Sequence, residues 1–170
     1  MLPTSLLLAL LLALTTCTAH LAIQQPTPIG LDRVGGTEKY AVPLRADGSD
    51  FPCKQLFKIG TADVSGLGPV VETWSAGSTQ SFTLSTKGAA AHWGGSCQAS
   101  ISYDYGKTWQ VLRSFMGGCP RGANENRLLK TGEVERKFTF EVPRDAPGGD
   151  AVFAWTWFTV TGFREMYMVS

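Results

Sequence analysis

The clearest pattern along the chain is a period of two. Phe82 and Leu84 alternate with Ser81, Thr83 and Ser85, which predicts a strand with one buried face. A second strand is predicted over about Gln98 to Tyr103, followed by the turn Asp104-Tyr105-Gly106-Lys107. Trp109 and Val111 then alternate in the return strand, so the two make a hairpin. Phe138, Phe140 and Val142 alternate with Thr139 and Glu141 in another strand, and Pro143 to Gly149 reads as a turn. Ala151 to Phe158 is almost continuously apolar, as expected of a central strand buried on both faces. The stretch His20 to Ala46 has weak periodicity and many turn residues, and reads as an extended segment followed by a long loop. Ala46-Asp47-Gly48-Ser49-Asp50 is a turn cluster, and Gly122 to Glu135 reads as an exposed polar insertion. Evenly spaced strands with almost no helical period predict an all-β chain, an antiparallel immunoglobulin-like or fibronectin-like β-sandwich with long loops.

Composition narrows this picture. The 170 residues suffice for one domain with a real core, and 19 Gly, 9 Pro, 5 Trp, 4 Tyr and 9 Phe suit short strands joined by tight turns. A formal net charge of +1 gives no electrostatic reason to expect a nucleic acid or an anionic membrane as partner. Leu6 to Leu14 is an unbroken Leu/Ala run, shorter than the roughly 20 apolar residues of a membrane span. It fits the apolar part of a secretory signal, with Cys17 and Ala19 as the small residues before a cut. A buried core helix and a lipobox ending at Cys17 are the competing readings of this segment. The expected division is therefore a signal peptide over residues 1–19 and one secreted domain over residues 20–170, beginning at His20.

Candidate chemistry is sparse. Beyond residue 19 the histidines are His20 and His92. A histidine at a free amino terminus offers its α-amine and a ring nitrogen to one ion, and a second imidazole completes a set of three nitrogens. Such a set favours Cu(II). The competing readings are a disordered terminal residue for His20 and an exposed loop residue for His92. Small residues in Ala89-Ala90-Ala91-His92-Trp93-Gly94-Gly95-Ser96-Cys97 would let that loop approach an ion closely. No Gly-x-Ser-x-Gly supports a hydrolase triad and no Cys-x-x-Cys supports a zinc site. Glu165 and Tyr167 are two apart, so on a strand they share a face. Cys53, Cys97 and Cys119 remain after the signal; export favours disulfides, and an odd count leaves one thiol over.

Four separated segments give the chain a resemblance. They are Ala46-Asp47-Gly48-Ser49-Asp50-Phe51-Pro52-Cys53-Lys54, His92-Trp93-Gly94-Gly95-Ser96-Cys97-Gln98, Gly117-Gly118-Cys119-Pro120, and Ala154-Trp155-Thr156-Trp157-Phe158 with Gly162 and Arg164-Glu165-Met166-Tyr167-Met168. In this order they resemble the fungal chitin-active lytic polysaccharide monooxygenases of auxiliary-activity family eleven and their close relatives. The resemblance implies one copper ion, cycling between Cu(II) and Cu(I), bound by His20 and His92 with Tyr167 axial. It implies Glu165 beside the open position and Ala90 limiting axial access. Dioxygen or hydrogen peroxide would be the co-substrate, an external reductant the electron donor, and insoluble polysaccharide, chitin first, the partner of a secreted monomer. Copper-dependent abstraction of hydrogen from a carbon of the glycosidic linkage would lead to chain cleavage.

The departures are specific. Trp93 stands where the family has Gly, and its indole is a candidate for stacking on a sugar ring or for packing on the sandwich. Thr159 and Phe163 replace Asn. The family pattern continues past Met168 with Asn-Cys-Ala and a further strand, where this chain has Val169-Ser170, so a shortened carboxy terminus is expected and Cys53 would lose its natural partner. Cys97 opens the hairpin and Cys119 ends the return, so these two are expected to pair, with Cys53 left over as a thiol. Two other functions share the scaffold: a copper-binding protein without polysaccharide oxidation, and a carbohydrate-binding module without redox chemistry.

Overall fold

The computed structural model describes residues 22–29, 43–61, 67–85, 95–120, 136–159 and 166–169. Seven strands form two antiparallel sheets: β1 (Ala22–Gln25), β2 (Thr79–Ser85), β3 (Ser96–Ser102), β4 (Gln110–Phe115), β5 (Arg136–Glu141), β6 (Val152–Phe158) and β7 (Met166–Val169). One sheet has the order β1-β2-β5 and the other β4-β3-β6-β7. The expected all-β sandwich is what the chain forms.

Alternation does the sorting. Phe82 and Leu84 of β2 and Phe140 of β5 point inward, and Cys97, Ala99, Trp155 and Trp157 face them from the second sheet. Trp155 and Trp157 are fully buried and stack with centroids 5.9 Å apart. Each contributes on the order of 2–3 kcal/mol by leaving water. Phe82 is the hub: it stacks on Phe138 at 5.1 Å and meets Phe115 edge-on at 6.0 Å.

The other face of the second sheet is also covered. Val152 and Ala154 of β6 pack against Leu44, Cys53 and Phe57 from the segment 43–61. This is why β6 reads as a continuous apolar run: one set of its side chains meets the inter-sheet core and the alternate set meets a loop. The segment is itself tied to the β3–β4 turn. Gly60 N–H donates to Tyr105 O at 2.8 Å, and Phe57 lies against Gly106, where φ is +80° and a Cβ would sit 2.9 Å from the Phe57 ring. Within it Cys53, Lys54 and Gln55 form a 3-10 turn with φ of 51°, 57° and 57°, a left-handed path that costs roughly 1–2 kcal/mol per residue.

Some expectations shift. Trp109 falls just before β4 rather than in it: its indole N–H donates to Gly106 O at 3.0 Å, folding the ring over the turn and onto the loop layer. β1 is a paired edge strand, Ala22 opposite Ser85, where the sequence suggested only an extended segment. The stretch read as an insertion, 122–135, lies outside the described residues.

Candidate functional site

The registers define one end of the sandwich. In the first sheet β1 starts opposite the end of β2, Ala22 to Ser85, and Leu84 lies opposite Arg136 at the start of β5. In the second sheet Ser96 at the start of β3 lies opposite Phe158 at the end of β6, Cys97 opposite Phe115 at the end of β4, and Phe158 opposite Met166 at the start of β7. Core rings join the two halves: Phe138 near the start of β5 meets Phe115 at 5.1 Å, while at the far end Phe140 stacks on Phe153 at 5.1 Å. The starts of β1, β3 and β7 therefore share one end. β4 touches β5, so the sheets are aligned with β1 toward the β6–β7 side.

The best-defined part of that end is a staple over residues 95–97. Cys97 and Cys119 form a disulfide, Cα atoms 5.6 Å apart, both wholly buried. The expected pairing is the observed one, and Cys53 stands outside it as a buried thiol whose titration is pushed upward by burial. Ser96 Oγ accepts a hydrogen bond from Gly117 N–H at 3.1 Å, and Gly95 O accepts one from Cys119 N–H at 3.4 Å. Gly95 has φ +112°, and a Cβ there would overlap the carbonyl oxygen of Phe158 and stand 3.0 Å from Trp157 Nε1. The small residues of this loop stand out in the sequence, but the close approach of Gly95 to the Phe158 backbone does not.

The site-bearing residues flank these elements. His20 stands two residues before β1, His92 four before β3, Glu165 one before β7, and Tyr167 is the second residue of β7, opposite Trp157. His20, His92, Trp93 and Glu165 lie outside the described residues, as does the Tyr167 side chain. Thr159, one of the departures, is buried at the exit of β6. Among the described residues no group of three or more His, Cys, Asp and Glu could hold a metal ion.

Asp104 in the β3–β4 turn takes hydrogen bonds from Thr108 N–H at 2.8 Å, Thr108 Oγ1 at 2.6 Å and Ser102 Oγ at 2.8 Å. The Thr108 side-chain bond leads the causes that bring its carboxyl to about 2. Burial lowers the Lys54 ammonium, with Asp50 at 3.7 Å acting in the opposite sense.

The fold of the chain has a solved counterpart. It superposes on a solved structure described as the X-ray photoreduction of polysaccharide monooxygenase CBM33 with a TM-score of 0.50, covering 88% of this chain and 96% of that one at 16% identity. Sequence then gives the family resemblance. The chain is 40% identical over 167 residues to an AA11 family lytic polysaccharide monooxygenase of Aspergillus oryzae, which takes in 94% of this chain and 36% of that protein. It is 40% identical over 126 residues to AA11 family lytic polysaccharide monooxygenase A of Aspergillus fumigatus, 74% of this chain and 48% of that protein. With monooxygenase B of Aspergillus fumigatus identity is 35% over 164 residues, 93% of this chain and 36% of that protein. The resemblance to AA11 lytic polysaccharide monooxygenases thus runs along nearly the whole chain, which spans about a third to a half of the length of these curated relatives. No protein-family model matches the chain.

Proposed function

We propose that this chain is a secreted, copper-dependent lytic polysaccharide monooxygenase domain that oxidatively cleaves glycosidic bonds in chitin or a similar crystalline polysaccharide. One observation carries the reading: in a chain 40% identical to AA11 enzymes, the starts of β1, β3 and β7 lie at the same end of the sandwich. Chain connectivity limits how far the ligands can stray from it. Two residues reach at most about 7 Å and four at most about 14 Å, the tethers of His20 and His92. An end face, unlike a deep pocket, can lie against an insoluble polymer.

The donor set fits copper. Once the signal is cut after Ala19, His20 supplies its α-amine and a ring nitrogen, and His92 a second imidazole; three nitrogens in this arrangement suit Cu(II). The amine titrates near pH 8, so it gives up its proton to a metal close to neutrality. Tyr167 would contribute its phenol oxygen to the same ion. Glu165 would hold or accept a proton beside the metal and orient the oxygen co-substrate by hydrogen bonding, and Trp93 would offer an apolar ring to the sugar. When bound, copper supplies Cu(II)/Cu(I) redox chemistry and activation of dioxygen or hydrogen peroxide, with electrons from an external reductant.

Mass spectrometry of the products released from chitin by the processed protein, with copper and ascorbate, tests the reading. Oxidised oligosaccharides support it. Copper binding without oxidised products makes the chain a copper-binding protein; chitin binding without copper binding makes it a carbohydrate-binding module. Adding one residue before His20 displaces the terminal amine, and calorimetry should show copper affinity falling at least a hundredfold. An unchanged affinity would exclude this ligand set.

A further inference from the structure

The opposite end of the sandwich, where β3 ends and β6 starts, carries a cleft of about 770 Å³. Ile101, Tyr103, Val152 and Phe153 line it between two walls, the irregular stretch 67–74 and the turn 146–151. Trp74 pins the first wall to the core. Its ring meets Phe140 and Phe153 edge-on at 5.3 and 5.4 Å, and its indole N–H donates to Glu72 Oε2 at 2.7 Å. Val70 and Val71 beside it stay exposed, and among the described residues no hydrogen bond engages the backbone of 70–73. The charged residues of the lining are Glu72 and Asp150, with no Lys or Arg among them. A third carboxylate stands close by: burial first, and then Asp145, raises the Tyr103 phenol. The Tyr103 phenol oxygen is itself buried with no hydrogen-bond partner, an arrangement that costs stability until something accepts from it.

We propose that this cleft is a second polysaccharide site, which takes a cationic glucosamine polymer, that is, chitin without its acetyl groups. The choice of a sugar over other cations rests on the polysaccharide reading above. A pyranose polymer lays apolar C–H faces on the aliphatic and aromatic side chains of the cleft. Its hydroxyls pair with the free backbone groups of 70–73, and one of its oxygens accepts from the Tyr103 phenol. Its ammonium groups face Glu72 and Asp150. An acetylated polymer matches the apolar lining and the backbone but brings no charge, so the carboxylates decide between the two. The cleft and the candidate copper site lie at opposite ends. A polymer held in the cleft is therefore not the one being cut: the cleft anchors the protein to one strand of a wall and leaves the other end free for a neighbouring strand.

The test is calorimetry of the processed protein with a glucosamine hexamer in weakly acidic, low-salt buffer, every variant carrying the same copper content. The parent should bind this hexamer about fivefold more tightly than the N-acetylglucosamine hexamer, the worth of two surface ion pairs. Added salt should remove that preference. Glu72→Gln combined with Asp150→Asn should also remove it without changing the melting temperature, because an amide oxygen still accepts the Trp74 indole N–H. Tyr103→Phe should weaken the glucosamine hexamer about threefold and leave the melting temperature no lower, since the hydroxyl has no partner in the protein to lose. Equal binding of the two hexamers by the parent, unchanged binding in the double variant, or a hexalysine peptide bound as tightly as the glucosamine hexamer would each overturn the proposal. Oxidised products from chitin with no glucosamine binding would overturn this proposal alone. Glucosamine binding through Glu72 and Asp150 with no oxidised products would overturn the oxidative reading and leave the cleft as a sugar site.

Discussion

Replacing both Cys97 and Cys119 by alanine removes the cross-link at the base of the histidine loop. The two residues are 22 apart in sequence, and freeing a loop of that size returns about 3 kcal/mol of conformational freedom to the unfolded chain. Both sulfurs are wholly buried in the inter-sheet core, so lost packing adds to the effect and does not offset it. Against a total stability of about 5–15 kcal/mol, the change is large. The melting temperature should fall by about 6–12 °C, since each kcal/mol shifts a domain of this size by about 2–4 °C. In urea, with a slope of about 1–3 kcal/mol per molar, the midpoint should fall by roughly 1–3 M. The slope itself should rise, because the unlinked denatured chain exposes more surface. Equilibrium urea unfolding followed by tryptophan fluorescence reads both quantities. A midpoint and slope indistinguishable from the parent would refute the argument, because the cross-link would then restrain nothing that unfolding releases.

Three further outcomes can be measured. Phe82→Ala removes the hub of the aromatic core and should cost about 3–5 kcal/mol, while Phe51→Ala, at a ring 44% exposed, should stay within about 0.5 kcal/mol; denaturant midpoints of the two separate the cases. The Asp104 carboxyl titrates at about 2 in the folded chain and near 3.9 when unfolded, so its contribution is complete above about pH 4 and is lost as pH falls towards 2; Asp104→Asn should lower the melting temperature at pH 7 and converge with the parent near pH 2. Trp93→Gly should weaken chitin binding in pull-down assays with little change in melting temperature if the indole stacks on sugar; a clear fall in melting temperature would show that it packs on the protein.

The strands and the disulfide were legible because their signals are local. Phe82, Leu84, Phe138 and Phe140 announce their faces by alternation, and the Cys97–Cys119 pair follows from a hairpin whose turn is written in Asp104 to Lys107. The covering layer was not legible. Leu44, Cys53 and Phe57 reach β6 through a loop without period, and the left-handed turn at Cys53 to Gln55 has no glycine to mark it. Trp109 misled because its spacing matched a strand while its indole N–H found a carbonyl in the turn. Of the candidate site, the sequence names donors by chemical type, and the topology brings the starts of β1, β3 and β7 to one end of the sandwich. The Gly95 contact joins residues distant along the chain, and no local pattern encodes it.

The order in which the strands pair has a consequence for biogenesis. Phe82 must wait for Phe138, and Cys97 for Trp157, so neither sheet can close until most of the chain has been synthesised. Such long-range ladders fold on a timescale of milliseconds to seconds. During that interval β2 and β3 expose unpaired edges, the form in which nascent chains associate with one another. Among the described strands, the β3–β4 hairpin and the β6–β7 pair join near neighbours in sequence. Recombinant yield should therefore depend on chaperone capacity and on growth temperature more steeply than the stability of the finished sandwich alone would suggest.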